Sequence, residues 1–410
     1  MQGMAEKYIG IDLNEKYAMI SYYAEGMSEP NTFSMVTGSE VYQIPLCIFK
    51  RKGTGQWLYG EEAKQSSKEE GSVYVDGLLK KALAKESVEV EGTVYDSTEL
   101  LFLFLKKILE FPMQAASGQK PDKLVITVEY MNMQLRSLFG LFAEWMELSA
   151  DRLLLLDYRE SFYYYALSQQ KELYTHDVVL YYYTSKKLWF WKLNRDKRTV
   201  PQVVTMEEQG YEALLKDRDE DFFDIVAQTL TGRIVSSVYL IGDGFDGDWM
   251  KKSLAALCRG RRVFMGKNLF CKGACYGAAV KAGQTKWQYL YMGDNEIQVN
   301  VSLKVQNNGQ TEFVPLITAG ENWYEAGAEC EVILCKTPSV DFWFQPPTSR
   351  EAVIRSLELS EFPLREDKTT RLRISVKPKA VDKLLFSIRD LGFGEIVRSS
   401  EKIWEYTISL

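Results

Sequence analysis

Two stretches of the chain share one pattern, and this pattern constrains the fold more than any other feature. Residues 7–23 and residues 177–193 each consist of an apolar run, a short polar turn and a second apolar run, which predicts a β-hairpin. Each hairpin precedes segments that alternate strand and helix, including continuous apolar runs such as 123–130 that are typical of buried parallel strands. The order predicts an α/β fold of two similar halves, about 1–170 and 171–285, although no sequence repeat is visible.

The composition changes after Gly283. Residues 296–305 alternate apolar and polar side chains strictly, which predicts a half-exposed antiparallel strand. Similar segments follow, and together they predict a β-sandwich-like domain over 290–410. Residues 380–392 instead place apolar side chains at helical spacing and end in Gly392, which predicts one helix packed on the sandwich. The apolar positions of this helix are Val381, Leu384, Leu385, Ile388 and Leu391.

Charge and apolar content narrow the functional class. The chain carries 50 basic and 56 acidic side chains, a net charge of −6, which argues against a general nucleic-acid binder. No apolar run approaches the roughly 20 residues that span a bilayer, and the first residues lack the apolar stretch of a signal peptide. These features predict a cytoplasmic protein that binds neither nucleic acid nor membrane.

Histidine and cysteine offer little for nucleophilic or metal chemistry. His176 is the single histidine of the chain, so a Ser-His-Asp triad would have to use it, and no G-x-S-x-G segment accompanies it. Cys271 and Cys275 lie four residues apart on one helical face. They form either a metal-binding pair or two small buried thiols, and the lack of further Cys or His nearby favours the thiols.

Five segments, in order along the chain, carry a resemblance to a known fold. They are YIGIDL at 8–13, the turn at 60–64, VITVEYMNMQLRSL at 125–138, VYLIGDGF at 238–245 and GACYGAAVKAG at 273–283. Over about residues 6–285 the chain resembles the ATPase fold shared by actin, the sugar kinases and the DnaK-type heat-shock chaperones, and it is most similar to the chaperones. The resemblance implies a duplicated actin-like (ribonuclease H-like) domain. The connection between Leu193 and Val238 is short for that fold, which implies a reduced outer subdomain in the second half.

The resemblance also implies a cofactor, ATP or ADP with Mg²⁺, and positions for it. Asp12 corresponds to a carboxylate that positions Mg²⁺, and Asn14 and Lys16 occupy the turn that faces the phosphates. Asp12 and Glu160 are the candidate catalytic carboxylates, although Arg159 stands where the chaperones have their glutamate. The remaining implied cofactor-binding residues are Gly242, Asp243, Gly244, Asp246 and Gly273.

The second hairpin departs from the chaperone pattern. Tyr182 stands at the position of an Mg²⁺-binding aspartate, and Thr184, Ser185 and Lys186 stand at three glycine positions. Side chains there crowd the site of the γ-phosphate, because glycine lets the backbone approach it closely. Lys186 and Lys187 could attract a phosphate as point charges or form a solvated hairpin tip, and we favour the tip.

These departures predict a protein that keeps the architecture of an ATPase and does not have ATPase activity. The leading hypothesis is a chaperone-like module that does not hydrolyse ATP, binds nucleotide weakly or not at all, and serves protein interaction or regulation. Tyrosines at 163–165 and 181–183 could fill the cleft instead. The alternatives are an active ATP-dependent chaperone with divergent phosphate loops and an actin-like polymer subunit.

The C-terminal β domain is the predicted contact for a protein partner. Its candidate contact residues lie at 340–347 and at Trp323 and Tyr324, since aromatic side chains are enriched at interfaces. Each of these side chains could also belong to the core of the sandwich. The sequence leaves the oligomeric state open.

Overall fold

The computed structural model describes residues 6–35, 38–115, 120–184, 186–215 and 217–410. The chain is a mixed α/β protein that divides into two units. The first unit comprises residues 1–194 and 206–287, and the second comprises residues 195–205 and 288–410. Among the described residues, no helix is long and apolar enough to cross a membrane.

The first half of the first unit begins with a hairpin and ends with a helix. Its strands are Lys7–Leu13 (β1), Tyr17–Ala24 (β2), Asn31–Thr32 (β3), Ile44–Pro45 (β4), Ile48–Lys50 (β5), Trp57–Tyr59 (β6), Val73–Val75 (β7), Ser87–Val90 (β8), Thr93–Asp96 (β9), Lys123–Val128 (β10) and Leu153–Asp157 (β11). Its helices are Gly60–Ser66 (α1), Leu78–Ala84 (α2), Ser97–Ala115 (α3), Met133–Trp145 (α4) and Tyr158–Leu167 (α5).

The second half repeats this order without the elements between the third strand and the next helix. Its strands are Asp177–Tyr183 (β12), Lys187–Asp196 (β13), Gln202–Glu212 (β14), Val235–Ile241 (β15) and Arg262–Gly266 (β16). Its helices are Arg218–Leu230 (α6), Lys252–Leu257 (α7) and Leu269–Lys281 (α8). In the first half β4–β9, α1 and α2 stand between β3 and α3, whereas α6 follows β14 directly.

The two halves build sheets of the same strand order. The first sheet runs β11-β10-β1-β2-β3, and the second runs β16-β15-β12-β13-β14. In the first sheet β1 pairs antiparallel with β2 and parallel with β10, which is parallel to β11. In the second sheet β12 pairs antiparallel with β13 and parallel with β15, which is parallel to β16. The apolar runs explain this arrangement, because β1, β10 and β12 are buried along almost their whole length, as central strands with two covered faces require.

Most of the predicted elements of the first unit are present, with one clear error. The sequence predicts a helix from Gln209 toward Leu230 that the charged run at 216–221 interrupts, but residues up to Glu212 continue β14 and the helix begins at Arg218. The side chain of Asp217 accepts the backbone N–H of Glu220 at 3.2 Å, and this cap fixes the start of α6. The charged run that was expected to break the helix therefore begins it.

The second unit consists of two antiparallel four-stranded sheets and a short parallel pair. Its strands are Tyr289–Tyr291 (β17), Asn300–Asn307 (β18), Gln310–Ile317 (β19), Ala328–Ile333 (β20), Ser339–Gln345 (β21), Val353–Glu358 (β22), Arg371–Ala380 (β23), Lys383–Gly392 (β24) and Ile403–Ser409 (β25). The sheets run β19-β18-β21-β22 and β20-β23-β24-β25, and residues 202–204 pair with β17. Phe342 and Phe386 meet in the core with ring centroids 4.6 Å apart.

The helix predicted in the second unit is wrong. Residues 383–392 form β24, which pairs along its length with β23 and β25. Leu384, Phe386, Ile388 and Asp390 face the interior and are fully buried. Asp390 interrupts the apolar alternation, and its burial depends on Arg365, whose guanidinium donates to both carboxylate oxygens at 2.8 Å.

Candidate functional site

A cavity of about 410 Å³ lies in the first unit between the turns that close the two hairpins. One side is apolar and comes from α2, α4 and the ends of β1 and β10. The apolar lining residues are Leu13, Leu79, Leu83, Val128 and Leu135. The polar and aromatic lining residues are Asn14, Glu15, Lys16, Tyr17, Lys80, Glu129, Tyr130, Tyr182, Thr184, Lys186, Gly242 and Asp243.

The two hairpin turns have the same internal hydrogen bonds. Oδ1 of Asn14 accepts the backbone N–H groups two and three residues later, at 2.9 and 3.0 Å. Oγ1 of Thr184 accepts the corresponding two N–H groups of the second turn, both at 3.4 Å. A phosphate bound by backbone N–H groups would have to displace these side chains. Ser185, another predicted glycine position, lies outside the described residues.

Asp12 and Tyr182 occupy the same position in the two halves. Each is the sixth residue of a seven-residue strand, β1 or β12. Asp12 is only 1% exposed and accepts a hydrogen bond from the Tyr158 hydroxyl at 2.5 Å. Burial raises the pKa of Asp12 to about 7, the Tyr158 hydrogen bond opposes the rise, and the charge of Glu129 adds to it. The predicted Mg²⁺ ligand is therefore already engaged, and it does not line the cavity.

Tyr158, which donates to Asp12, belongs to a group of four aromatic rings in mutual contact, and we call them the aromatic cluster: Tyr158, Tyr182, Trp191 and Phe270. Tyr158 stacks on Phe270 with ring centroids 3.9 Å apart, and it meets the edge of Tyr182 at 5.7 Å. Tyr182 also stacks on Trp191 at 5.7 Å. Asp12 is thus buried next to the ring of Tyr158 in this cluster, and the loss of water around the carboxylate is the physical cause of its raised pKa.

One of the six tyrosines expected to fill the cleft lines the cavity, and it is Tyr182. Tyr181 and Tyr183 lie on the opposite face of β12, because neighbouring strand residues point to opposite sides of a sheet. Both are part of the apolar core beneath α6. The other three lie on α5, where Tyr163 and Tyr164 pack on Trp287 and Tyr165 packs on Tyr239.

The first turn of α5 places a cation, not a carboxylate, next to the cavity-lining residue Tyr130. Glu160 is buried, and its Oε1 lies 3.2 Å from Nζ of Lys281. Glu160 does not line the cavity, so the structure separates it from the other predicted residues. Arg159 lies between the rings of Tyr130 and Trp191, 4.7 and 5.3 Å from their centroids. Its Nε donates to Glu208 at 2.5 Å.

The turn after β15 contributes two predicted residues to the cavity, Gly242 and Asp243. Gly242 has φ +110°, and a Cβ there would lie 2.2 Å from the carbonyl oxygen of Tyr183, so only glycine fits. Oδ1 of Asp243 accepts hydrogen bonds from Gln43 at 2.9 Å and from Lys267 at 3.3 Å. Gly244 and Asp246 are not among the lining residues, and Asp246 pairs with Lys267.

Gly273 serves helix packing and does not line the cavity. A Cβ at this position would lie 2.1 Å from the carbonyl oxygen of Ser161, so glycine lets α8 and α5 cross in close contact. Cys271 and Cys275, on the same helix, are buried, and their sulfur atoms donate to the carbonyl oxygens of Asn268 and Ser21. Among the described residues, no group of three or more His, Cys, Asp or Glu side chains could hold a metal ion.

Several lining residues were missed by sequence reasoning. Lys80 and the leucines of α2 come from the insertion after β3, and Leu135 comes from α4. Glu129 follows β10 inside a segment that carried the resemblance, but the pattern assigned it no role. Of the two lysines of the second turn, Lys186 lines the cavity, whereas Lys187 points its ammonium at the ring of Trp189, 3.9 Å from the centroid.

Two family models cover nearly the whole chain. The model described as "Family of unknown function (DUF5716) C-terminal" matches residues 29–294. The chain belongs to this family. The model described as "Domain of unknown function (DUF8552)" matches residues 296–410. No curated protein matches the chain.

The family match contains most of the cavity. All lining residues from Leu79 to Asp243 fall within it, whereas the first hairpin turn precedes its first residue. The junction of the two matches lies close to the junction of the two structural units near residue 288.

The predicted contact aromatics of the second unit separate into buried and outward-facing residues. Phe342, Phe344 and Tyr324 are buried. Trp343 alternates with the buried pair and meets Phe313 at 5.2 Å, while Nζ of Lys304 lies 5.4 Å from its ring. Ile354 pairs with Trp343 across β21 and β22, and Phe313 and Ile354 are exposed. We call Phe313, Trp343 and Ile354 the outer strip.

Proposed function

We propose that this chain is a non-hydrolysing relative of the actin and DnaK-type ATPases, which uses the ATPase fold as a module for ligand and protein binding. One observation carries the proposal: the carboxylate of Asp12 is buried and hydrogen-bonded to Tyr158 of the aromatic cluster, and its counterpart in the second half is Tyr182. A site for Mg-ATP hydrolysis in this fold needs accessible carboxylates for the metal ion.

The repeated topology supports the assignment to this fold. Both sheets have the same strand order, and both begin with a hairpin whose first strand is central. A cavity lies between the two hairpin turns, where the resemblance expects a nucleotide. The second half passes from β14 to α6 without an inserted subdomain, in keeping with the reduced form that the sequence predicts.

The geometry of the turns argues against phosphoryl transfer. Catalysis of this reaction consists mainly of positioning the phosphates and neutralising their charge. Here the N–H groups of both turns are held by Asn14 and Thr184. The start of α5 supplies Arg159 and a buried, paired Glu160, so no free carboxylate of that helix faces an attacking water.

Calorimetric titration with ATP, with and without Mg²⁺, and a phosphate-release assay on the full chain test this proposal. We expect no Mg²⁺-dependent turnover, and any nucleotide binding should be weak and independent of Mg²⁺. Tyr182→Asp should not create turnover, because the turn N–H groups and Arg159 are unchanged. Submillimolar ATP binding coupled to Mg²⁺-dependent phosphate release would favour an active chaperone instead.

For the second unit, we propose that the outer strip contacts a protein partner. Its exposed aromatic and aliphatic side chains on one sheet face support this role, since such residues are enriched in interface cores. A photo-crosslinking amino acid at Ile354 should form an adduct with one defined protein in cells of the source organism. The same amino acid at Lys379, which is exposed on β23, serves as the control. Equal adducts at both positions would contradict a specific surface.

A further inference from the structure

The floor of the cavity carries an uncompensated negative charge at Glu129. This side chain is half-buried and lines the cavity. Within the described part of the chain, no cation lies within ion-pair distance of it, although the charge of Arg159 lowers its pKa against the effect of burial. Arg159 itself is paired with Glu208. Of the other lining carboxylates, Asp243 is paired with Lys267 and Glu15 is exposed on the hairpin turn, so Glu129 is the half-buried carboxylate that remains to meet a ligand.

Tyr182 adds an independent observation that points to a ligand. Its side chain lines the cavity and is only 6% exposed. Its hydroxyl has no hydrogen-bond partner among the residues that the structure describes. The hydroxyl can therefore exchange a hydrogen bond with a ligand in the cavity without breaking one inside the protein. Burial and the charges of Glu129, Asp12 and Asp243 raise its pKa well above the usual range, so the phenol stays neutral and its oxygen can accept a hydrogen bond.

The rest of the lining suits a cation on an apolar chain. Tyr17 presents a further aromatic ring, which attracts cations through its negative face. Leu79, Leu83 and Leu135 form an apolar wall that a short aliphatic chain could cover. A polyphosphate would meet this wall without hydrogen-bond partners.

The three lysines of the cavity do not reverse this charge. Lys16, Lys80 and Lys186 are exposed. The charges that act most strongly on the pKa of Glu129 and Tyr182 do not include them. Exposed charges are screened by solvent and salt, whereas the half-buried carboxylate is screened less. The lysines therefore leave the floor negative.

We propose that the cavity binds a primary alkylammonium group. The ammonium donates hydrogen bonds to Glu129 and to the Tyr182 oxygen, and the alkyl chain packs against the leucines of α2 and α4. This inference rests on the proposal that the fold binds a ligand without hydrolysing ATP. The same chemistry is available from a lysine side chain of a partner protein or from a free aliphatic amine.

Calorimetry on the full chain with three probes of equal length tests the ligand class. Pentylammonium should bind with a Kd below about 1 mM, and at least tenfold more tightly than neutral pentanol or anionic pentanoate. The peptide acetyl-Gly-Lys-Gly-amide tests the second source, with its Nε-acetylated form as control. Tighter binding of the peptide indicates a partner's lysine, and tighter binding of pentylammonium indicates a free amine. Failure of both amines to bind at 10 mM, or preference for pentanoate, overturns the proposal.

Variants of the chain tie the binding to named side chains. Glu129→Gln keeps the shape and removes the charge, and it should weaken pentylammonium binding at least tenfold. Tyr182→Phe should weaken it about threefold to tenfold through loss of one hydrogen bond. Lys186→Gln should leave binding equal or tighten it, because a like charge is removed. Glu172→Gln, an exposed acid away from the cavity, is the matched control.

The two proposals fail in different ways. Mg²⁺-dependent phosphate release would contradict the proposed function whatever the amine titration shows. Absence of amine binding in a chain that also lacks turnover would contradict only the ligand class. An unchanged affinity in both Glu129→Gln and Tyr182→Phe would place any amine binding outside this cavity and would also overturn the inference.

Discussion

Replacing Asp12 by Asn should stabilise the protein at neutral pH, which is unusual for a change at a buried polar residue. Asp12 is 1% exposed and accepts a hydrogen bond from Tyr158 of the aromatic cluster. Burial raises its pKa from 3.8 to about 7 against the opposing hydrogen bond from Tyr158. Asn has nearly the same shape, and its Oδ1 can still accept the Tyr158 hydroxyl. The substitution therefore removes the charge and keeps the contact.

The size and sign of the effect follow from the pKa. A raised carboxyl pKa means that the folded chain binds the proton more tightly than the unfolded chain, so stability falls as pH rises from about 4 to about 7. A shift of about three units corresponds to about 4 kcal/mol once both states are ionised. Burying the neutral amide retains part of the desolvation cost, so the expected gain is about 2–4 kcal/mol at pH 8 and near zero at pH 4.

Urea denaturation at pH 4, 6 and 8 measures this gain, and hydrogen exchange of the β1 amides assigns it to the first unit. Burial raises the pKa of Asp157 to about 6, so this residue adds the same pH dependence to the free energy of unfolding of the wild type and of the variant. Asp248→Asn changes an exposed aspartate of the same unit and should show no pH-dependent difference. A variant that is equally stable or less stable than the wild type at pH 8 would refute the reasoning.

Three further substitutions test packing and charge pairing inside the two units. Gly273→Ala should destabilise the protein by about 1–3 kcal/mol, because the new Cβ meets the carbonyl oxygen of Ser161 at 2.1 Å. Gly140→Ala, on α4 with no atom within 4 Å, should instead stabilise by about 0.5–1 kcal/mol, and equal effects in the two helices would contradict the packing argument. Arg365→Leu should cost about 3–5 kcal/mol at pH 7 by leaving Asp390 buried without its partner. The loss should shrink toward pH 4, where Asp390 can take up a proton, and a urea titration at both pH values checks this.

The order of strands and helices in the first unit could be predicted from the sequence because its apolar runs are long and are separated by short turns. The error in the second unit has a physical cause. Residues 383–392 fit helical spacing because Asp390 breaks the period-two pattern at a buried position. The ion pair with Arg365 that permits this burial joins residues 25 positions apart. A pattern read within one segment cannot contain such a partner.

The sequence predicted only those parts of the candidate site whose residues are contiguous in the chain. Both hairpin turns were identified because strand and turn are contiguous. The hydroxyl that binds Asp12 belongs to Tyr158, 146 residues away, and the sequence placed no significance on it. Likewise the apolar wall of the cavity comes from α2, inside the insertion of the first half, so its position depends on tertiary packing.

If the proposed function is right, the match between Asp12 and Tyr182 explains why Tyr182→Asp alone should not produce ATPase activity. Glu129 and Asp12 both interact electrostatically with Tyr182, so an aspartate at that position would join two carboxylates in a largely apolar setting. Neighbouring carboxylates disfavour each other's ionisation, and the new aspartate would take up a proton instead of binding a metal ion. The aromatic cluster would also lose the ring that stacks on Trp191. The tyrosine at the second position and the burial of Asp12 at the first are therefore consistent with each other, and Mg²⁺ binding between the two hairpins would require changes in both halves of the unit together.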